Sequence, residues 1–251
     1  MKNKYDIIWL QNVDSTNEEA RRRFSECDNL SVLSAVSQTS GKGQRGNSWT
    51  SEPGANLTFS IILKDGYRIK AYDQFVLSEI TALSVIDFLS FHGIDSSIKW
   101  PNDIYVDKKK ICGILVENSL RGEFVSSSII GIGLNINQRN FDVNLPNPTS
   151  MILEDNIGKL YDITTCLEKF MEIFSGNVTR FLENHDNRHE LRRKYLSKMW
   201  RKDEACRYIR TSDGGAFYGI IRDVSEVGHL ILENNEGELM EFAFKEISYI
   251  I

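Results

Sequence analysis

Proline and cysteine are scarce in this chain of 251 residues, four of each, and the scarcity excludes several classes of protein. Cys27, Cys112, Cys166 and Cys206 stand far apart and form no CxxC pair. That removes a disulfide scaffold and a thiolate metal site, and points to free thiols in a reducing compartment. Histidine is equally sparse: His92, His185, His189 and His229 are scattered. His185 and His189 are four apart, but they lack the intervening glutamate of HExxH and any third ligand. No GxSxG elbow occurs, nor a P-loop, nor a GxGxxG followed by a distant acid. Basic charge is not in excess, with 30 Lys and Arg against 35 Asp and Glu and a formal charge of −5. This balance argues against a nucleic-acid partner, although a local basic loop can still grip phosphate. The N-terminal MKNKYDIIWL turns polar after four apolar residues and is no signal peptide. No apolar run approaches membrane-spanning length. The expectation is a soluble cytoplasmic protein with no nucleic-acid or membrane partner.

What the chain does contain is ordinary globular composition, 41% apolar and 26% charged, in a length that allows one large domain or a large and a small one. A first strand is expected over Tyr5–Leu10. A helix should then start near Ser15, where Ser15 with Glu18 and Thr16 with Glu19 have capping-box spacing. Strands are expected at Val32–Gln38 and Asn56–Leu63. Apolar residues three to four apart from Phe75 predict a long amphipathic helix ending at Gly93. Ile98–Trp100, a turn at Pro101–Asp103, a hairpin across Ile104–Glu117 turning at DKKK, and a strand at Phe124–Ile136 follow. Val143–Pro148 reads as irregular loop. A second helix carries Leu167, Phe170, Met171, Phe174, Val178, Phe181 and Leu182 on one face, and the charged run from Glu183 continues it toward Trp200. From Glu204 the chain changes to four or five short strands with Gly and Asn turns, as in a small barrel. The boundary falls near Ser197–Asp203. Two long helices among many strands, without a regular βαβ repeat, make the fold α+β rather than doubly wound.

Three polar or glycine-rich islands interrupt this pattern. GKGQRGNSW (Gly41–Trp49) joins glycines that free backbone amides to the cations Lys42 and Arg45 and to Trp49. It suits an anionic ligand with a flat part, or else is a solvated basic turn. Trp49 either covers such a ligand or belongs to the core. KWPNDIY (Lys99–Tyr105) places Asn102 and Asp103 at a proline turn, where they order water, a ribose hydroxyl or magnesium, or simply form the turn. GIGLNIN (Gly131–Asn137) sets Gly131 and Gly133 on one strand face, a floor on which a ligand lies directly, or a site of close backbone packing. Asn135 shares that face. Lys110, opening KICGILVE, borders a buried region and points at a carboxylate or phosphate, or is solvated surface.

In this order, STN (Ser15–Asn17), QTSGKGQRGNSW, KWPNDIY, KICGILVE and GIGLNIN strongly resemble biotin–protein ligase. The resemblance spans residues 15–137, and the β-rich tail resembles that family's SH3-like C-terminal domain. It implies a mixed sheet with flanking helices related to class II aminoacyl-tRNA synthetases, with a catalytic domain over 1–200 and the small domain over 201–251. It also implies two half-reactions. Biotin and MgATP give biotinyl-5′-adenylate and pyrophosphate, and biotin then passes to a lysine of a carboxylase's biotin carrier domain. By position, Ser15, Thr16, Asn17 and Gln38 border the biotin ureido ring, and Gly41–Gly46, including Gly43, closes over the ligands. Lys42, Arg45 and Lys110 are the catalytic cations, and Arg45 and Lys110 also touch biotin. Gly113, Gly131 and Gly133 line biotin. Lys42, Arg45, Gly46, Trp49, Asn102, Lys110 and Asn135 hold the nucleotide, with Asp103 beside magnesium and no tightly bound metal. Lys42 replaces the family's common arginine, while Gln44 and Asn47 stand where some members carry arginine. The start of the STN element at Ser15 leaves no room for the winged-helix repressor domain of some members, so a single-function enzyme is expected. Family members often pair through the outer sheet face, and Phe124–Ile136 offers apolar material for a homodimer. The alternatives are a lipoate or octanoate ligase, or a silent biotin-binding module.

Overall fold

The computed structural model describes residues 5–64, 66–155, 158–183 and 187–250, with the side chain of Arg45 outside the description. In chain order the elements are β1 (Ile7–Val13), α1 (Thr16–Arg22), β2 (Val32–Gln38), β3 (Leu57–Lys64), α2 (Val76–Phe91), β4 (Ser97–Lys99), β5 (Asp103–Val106), β6 (Lys109–Arg121) and β7 (Phe124–Leu134). They continue with α3 (Met151–Glu154), α4 (Ile163–Leu182), α5 (Arg188–Ser197), β8 (Ala205–Arg210), β9 (Ala216–Val224), β10 (Leu230–Glu233), β11 (Leu239–Phe242) and β12 (Ile247–Tyr249). Seven strands form one sheet in the order β1-β2-β3-β7-β6-β5-β4. β1 and β2, joined through α1, run parallel, and the remaining neighbours are antiparallel. The α+β expectation therefore holds.

Alternation along the strands divides the sheet into a core face and a site face. In β3, Leu57, Phe59, Ile61 and Leu63 join the main core, and the Phe59 ring meets Phe170 of α4 at 5.3 Å. Thr58 and Ser60 lie on the opposite face. In β7, Ile130, Ile132 and Leu134 enter the same core, leaving Gly131 and Gly133 for the other side. A one-residue slip would turn this apolar row out and the glycines in, at a cost of about 1.5–3 kcal/mol per large side chain exposed. The register is thus set by the core, and the site face inherits it.

Helix α2 packs on β4, β5 and β6 and against α4 and α5. It is buried around nearly its whole circumference, including Glu79, Thr81 and Ser84, so the amphipathic reading is corrected. Sheet below and helices beside it leave no solvent face. Thr81 and Ser84 donate to the carbonyls of Leu77 and Ile80 one turn earlier, which satisfies their hydroxyls. The segment 71–91 is long and apolar enough to cross a membrane by composition, unlike the sequence expectation, yet most of it is buried inside the fold. Helix α1 packs on the other face, against β2, β3 and β7, with Ala20, Cys27, Leu33, Ile62 and Ile129 forming a smaller cluster there. Its Ser15 N-cap makes no side-chain cap bond. Glu19 is drawn instead to Arg22 and Arg23, and Glu18 to Arg21 and Lys42, so the expected capping box is absent.

β7 occupies the centre of the sheet, so its apolar side chains are spent inside the fold rather than on a subunit face. The charged run after α4 forms the separate helix α5, and His185 lies outside the described residues. The last five strands make an antiparallel sheet in the order β11-β10-β9-β8-β12. That sheet is fastened to the main body beside the cis Trp100–Pro101 bond. Trp100 Nε1 donates to the Gly228 carbonyl at 2.9 Å, and Phe244 lies 5.3 Å from the Trp100 ring. Arg192 of α5 donates to the Ser225 carbonyl at 3.1 Å.

Candidate functional site

Strand register builds the floor of the site. Thr58, Gly133, Gly113 and Asp103 stand directly opposite one another on β3, β7, β6 and β5. One row along, Ser60 faces Gly131, which faces Leu115. Thr58, Ser60 and the glycines Gly113, Gly131 and Gly133, small residues in adjacent rows, leave a trough across the middle of the sheet. Above it lies a cleft of about 230 Å³ lined by Ser15, Thr16, Asn17, Gln38, Lys42, Gly43, Gln44, Asn47, Ser48, Trp49 and Lys110 among others.

At the α1 end a polar network sets side-chain directions. The Thr16 N–H and hydroxyl both donate to Gln38 Oε1, at 2.7 and 3.1 Å. Ser60 Oγ donates to Asn17 Oδ1 at 2.6 Å and lies 2.8 Å from Thr16 Oγ1, while Asn17 Nδ2 donates to Glu117 Oε2 at 2.7 Å. Arg21 joins Glu117 to Glu18, at 3.0 and 2.6 Å. With both ends of its amide engaged, Asn17 has one orientation. Its carboxamide also fills the space left by Gly131, where a Cβ would stand 3.0 Å from Asn17 Cγ.

The loop is shaped by two glycines in particular. Gly46 has φ +87° and ends a short 3₁₀ turn over Gln44–Gly46, a conformation L side chains adopt rarely. Gly41 lets the backbone pass against the Trp49 carbonyl, and the Trp49 N–H donates to the Gly41 carbonyl at 2.9 Å. Lys42 forms an ion pair with Glu18, tying the loop to α1. Hydrogen bonds from Arg21 and then Lys42 hold the Glu18 carboxyl below its usual range. Trp49 lies on the glycine floor, against Gly133 and Gly113. Its indole N–H is buried with no acceptor among the described residues.

At the far end Lys110 is pinned on both sides. Its N–H donates to the Asn147 carbonyl at 2.7 Å and its carbonyl accepts from Thr149 at 2.9 Å. The ammonium forms a 2.6 Å ion pair with Asp103 and sits 5.6 Å from the Trp49 ring centre. A second hollow of about 290 Å³ opens beyond Trp49, lined by Thr50, Lys99, Tyr105, Phe141, Leu145 and Pro146 among others. Asn102 is engaged structurally: its side-chain amide donates to the Ile114 carbonyl and its backbone carbonyl accepts from the Ile114 N–H. Asn135 likewise gives its amide to the Thr149 carbonyl at 2.8 Å and is buried. It therefore holds the 147–149 segment in place rather than offering the cleft a free amide.

Ser15, Thr16, Asn17, Gln38, Lys42, Gly43, Trp49, Asn102, Asp103, Lys110, Gly113, Gly131 and Gly133 thus line the first cleft and Asn135 the second hollow, while Gly41 and Gly46 shape the loop and Arg45's side chain lies outside the description. Among the described residues no group of three or more His, Cys, Asp or Glu is placed to hold a metal. Three contributors escaped sequence reasoning. Ser60 was hidden in an apolar strand, although its alternation with Phe59 and Ile61 marks the site face. Glu117 closes KICGILVE without a signal of its own. Lys245 reaches the cleft from the C-terminal sheet, which no local pattern reveals.

Residues 9–135 match the family described as the biotin/lipoate A/B protein ligases. The chain belongs to that family. It is 29% identical over 216 residues to the bifunctional ligase/repressor BirA of Bacillus subtilis, an alignment covering 82% of this chain and 62% of that protein's length. Identity to the biotin–[acetyl-CoA-carboxylase] ligase of Paracoccus denitrificans is 27% over 235 residues, covering 91% and 94%. The fold superposes on the biotin protein ligase of Aquifex aeolicus solved with biotin and ATP, with TM-score 0.78, 30% identity and 97% of each chain covered.

Proposed function

We propose that this chain activates biotin with ATP as biotinyl-5′-adenylate and passes the biotinyl group to a lysine of a carboxylase's biotin carrier domain. The observation that carries the reading is the meeting of the STN network, the Gly41–Trp49 loop, the glycine floor and Lys110 in one cleft. Membership in the ligase family supports it, as does the likeness to a ligase holding both substrates.

In the first step a biotin carboxylate oxygen attacks the α-phosphorus and the bond to pyrophosphate breaks. Thr16, Asn17 and Gln38, fixed by Ser60 and Glu117, present donors and acceptors suited to a ureido ring. Lys110 neutralises charge where carboxylate and α-phosphate meet, which lowers the barrier most if it is already positioned. Asp103 supplies that positioning through the ion pair, making it a positioning residue in this reading. The hollow beyond Trp49, with its aromatic and proline walls, suits the purine. In the second step the acceptor ε-amine attacks the acyl carbon and AMP leaves. Between the steps the loop, with Lys42 and Arg45, shields the adenylate from water.

Magnesium fits as an ion carried by the triphosphate. The one carboxylate among the described lining residues, Asp103, is engaged by Lys110, so the ion would be held by phosphate oxygens and water. Bound there it would neutralise phosphate charge. We read the C-terminal sheet as the family's SH3-like unit from about residue 201, and the body as class II synthetase-like. A cytoplasmic site of action accords with four free thiols. The direct test is transfer of labelled biotin to a carrier domain. Label on the wild-type carrier, lost when its acceptor lysine becomes arginine, is the expected result, and an unlabelled carrier contradicts the reading.

A further inference from the structure

Glu18 stands on α1 outside the cleft lining, yet two parts of the site meet at its carboxyl. Arg21 Nη1 lies 2.6 Å from Glu18 Oε1, and the Lys42 ammonium pairs with the same oxygen. Arg21 turns its other nitrogen, Nη2, to Glu117 Oε1 at 3.0 Å, and Glu117 Oε2 accepts from Asn17 Nδ2 at 2.7 Å. A continuous polar chain therefore runs from the loop through Glu18, Arg21 and Glu117 to Asn17 at the α1 end of the cleft. The loop itself is a closed unit. Lys42 faces Ser48 across an antiparallel bridge, Gly43 N–H donates to the Asn47 carbonyl at 2.7 Å, and Asn47 N–H donates to the Gln44 carbonyl at 3.2 Å. Its root is bolted to the end of β1, where Ser40 N–H donates to the Asp14 carbonyl at 2.8 Å. Between that root and Trp49, Lys42 with Glu18 is the one ion pair among the described side chains that ties the loop to the body.

We propose that Glu18 is a positioning residue that latches the Gly41–Trp49 loop over the cleft through Lys42, and so sets how long biotin stays bound. This deepens the proposed function and rests on it. Lys42, Gly43, Gln44, Asn47 and Ser48 all line the cleft, so a loop held at Lys42 covers the ligand and a loop released there opens a path to solvent. Glu18 does more than attract one lysine. With its charge in place, Arg21 and Lys42 share one anion; without it, two cations face each other at close range, and their repulsion adds to the lost attraction. The same pairing answers the charge of Lys42. A residue that the resemblance makes a catalytic cation is thus engaged in holding the loop. The chain to Asn17 couples the two ends of the cleft: a ligand that orders the Asn17 amide also steadies Glu117, Arg21 and Glu18.

The test is a chase of bound labelled biotin by excess unlabelled biotin in wild type, Glu18→Gln, Lys42→Met and the double variant. The Glu18 side chain is 24% exposed and that of Lys42 48%, which sets the scale at that of an exposed ion pair. E18Q should release biotin about three- to five-fold faster than wild type, with melting temperature unchanged and association no slower. K42M should release faster too, and the double variant should match K42M, because one interaction cannot be lost twice. Salt should speed release from wild type and not from E18Q, which a merely structural role of Glu18 would not produce. A wild type that binds biotin, with release from E18Q at the wild-type rate, overturns this inference alone. So does a double variant in which the two effects multiply. A wild type that binds no biotin overturns the proposed function and this inference with it.

Discussion

The Trp49 indole rests where Gly133 has no side chain: a Cβ there would stand 2.7 Å from Trp49 Cζ2, closer than packed carbons approach. The floor that glycine leaves open is therefore filled by the protein's own tryptophan, which must shift if a ligand is to lie on the sheet. Gly133→Ala should push the ring off the floor and crowd the nucleotide. Misplacement of about 1 Å costs on the order of 10²-fold in rate. Steady-state adenylate formation should fall on that scale, while calorimetry finds biotin still bound. An alanine variant with wild-type rate would mean that the close packing has no part in the reaction.

Lys110 and Asp103 divide a role that sequence alone cannot divide. Lys110→Ala should lower single-turnover adenylate formation by about 10²–10³-fold, as for loss of one pre-aimed charge. Asp103→Asn should lower the rate less and leave the magnesium concentration for half-maximal activity unchanged, since it acts through Lys110. A raised magnesium requirement in D103N would make Asp103 a metal ligand instead. An undiminished adenylate burst in K110A would remove Lys110 from the chemistry.

Ser60 supports Asn17 and Thr16 from below. Ser60→Ala leaves the Asn17 carbonyl short of a donor, and one hydrogen bond of about 1 kcal/mol predicts roughly five-fold weaker biotin binding. KM for ATP should not move. Calorimetry and exchange kinetics on one preparation check both halves of this statement.

Much of this arrangement was legible in the sequence because it is local. The Gly41–Trp49 loop, the Pro101 turn and the Gly131/Gly133 spacing depend on neighbours in the chain, and β2 begins and ends where its pattern says. Positions whose meaning is set by distant partners were not legible. Asn102 and Asn135 look like ligand amides until their acceptors, the Ile114 and Thr149 carbonyls, are seen. Ser15 looks like half a capping box until arginines and Lys42 draw Glu18 and Glu19 away. Helix α2 reads as amphipathic because Glu79, Thr81 and Ser84 are polar, yet each meets its partner inside the fold. Lys245 needs the docking of two sheets before it faces anything.

Glu79 makes the fold pH-sensitive. Burial pushes its carboxyl from 4.5 up to about 7, against the lowering by Arg192 and Arg188. Arg192 Nε lies 2.7 Å from it. A carboxyl with a raised folded-state value is favoured protonated, so its contribution is full below about 4.5 and is lost as pH rises through 7. The difference in melting temperature between wild type and Glu79→Gln should therefore shift against wild type from pH 5 to pH 8. A difference constant with pH would mean that Glu79 titrates normally in the fold.

The most direct measurement is exchange of labelled pyrophosphate into ATP, with magnesium and with biotin, lipoate or octanoate in parallel. The account predicts strong exchange with biotin alone, since only reversible formation of the acyl-adenylate returns label to ATP. Exchange with lipoate or octanoate instead would assign the cleft to a different acid, and absence of exchange with all three would make the chain a binding module without the reaction.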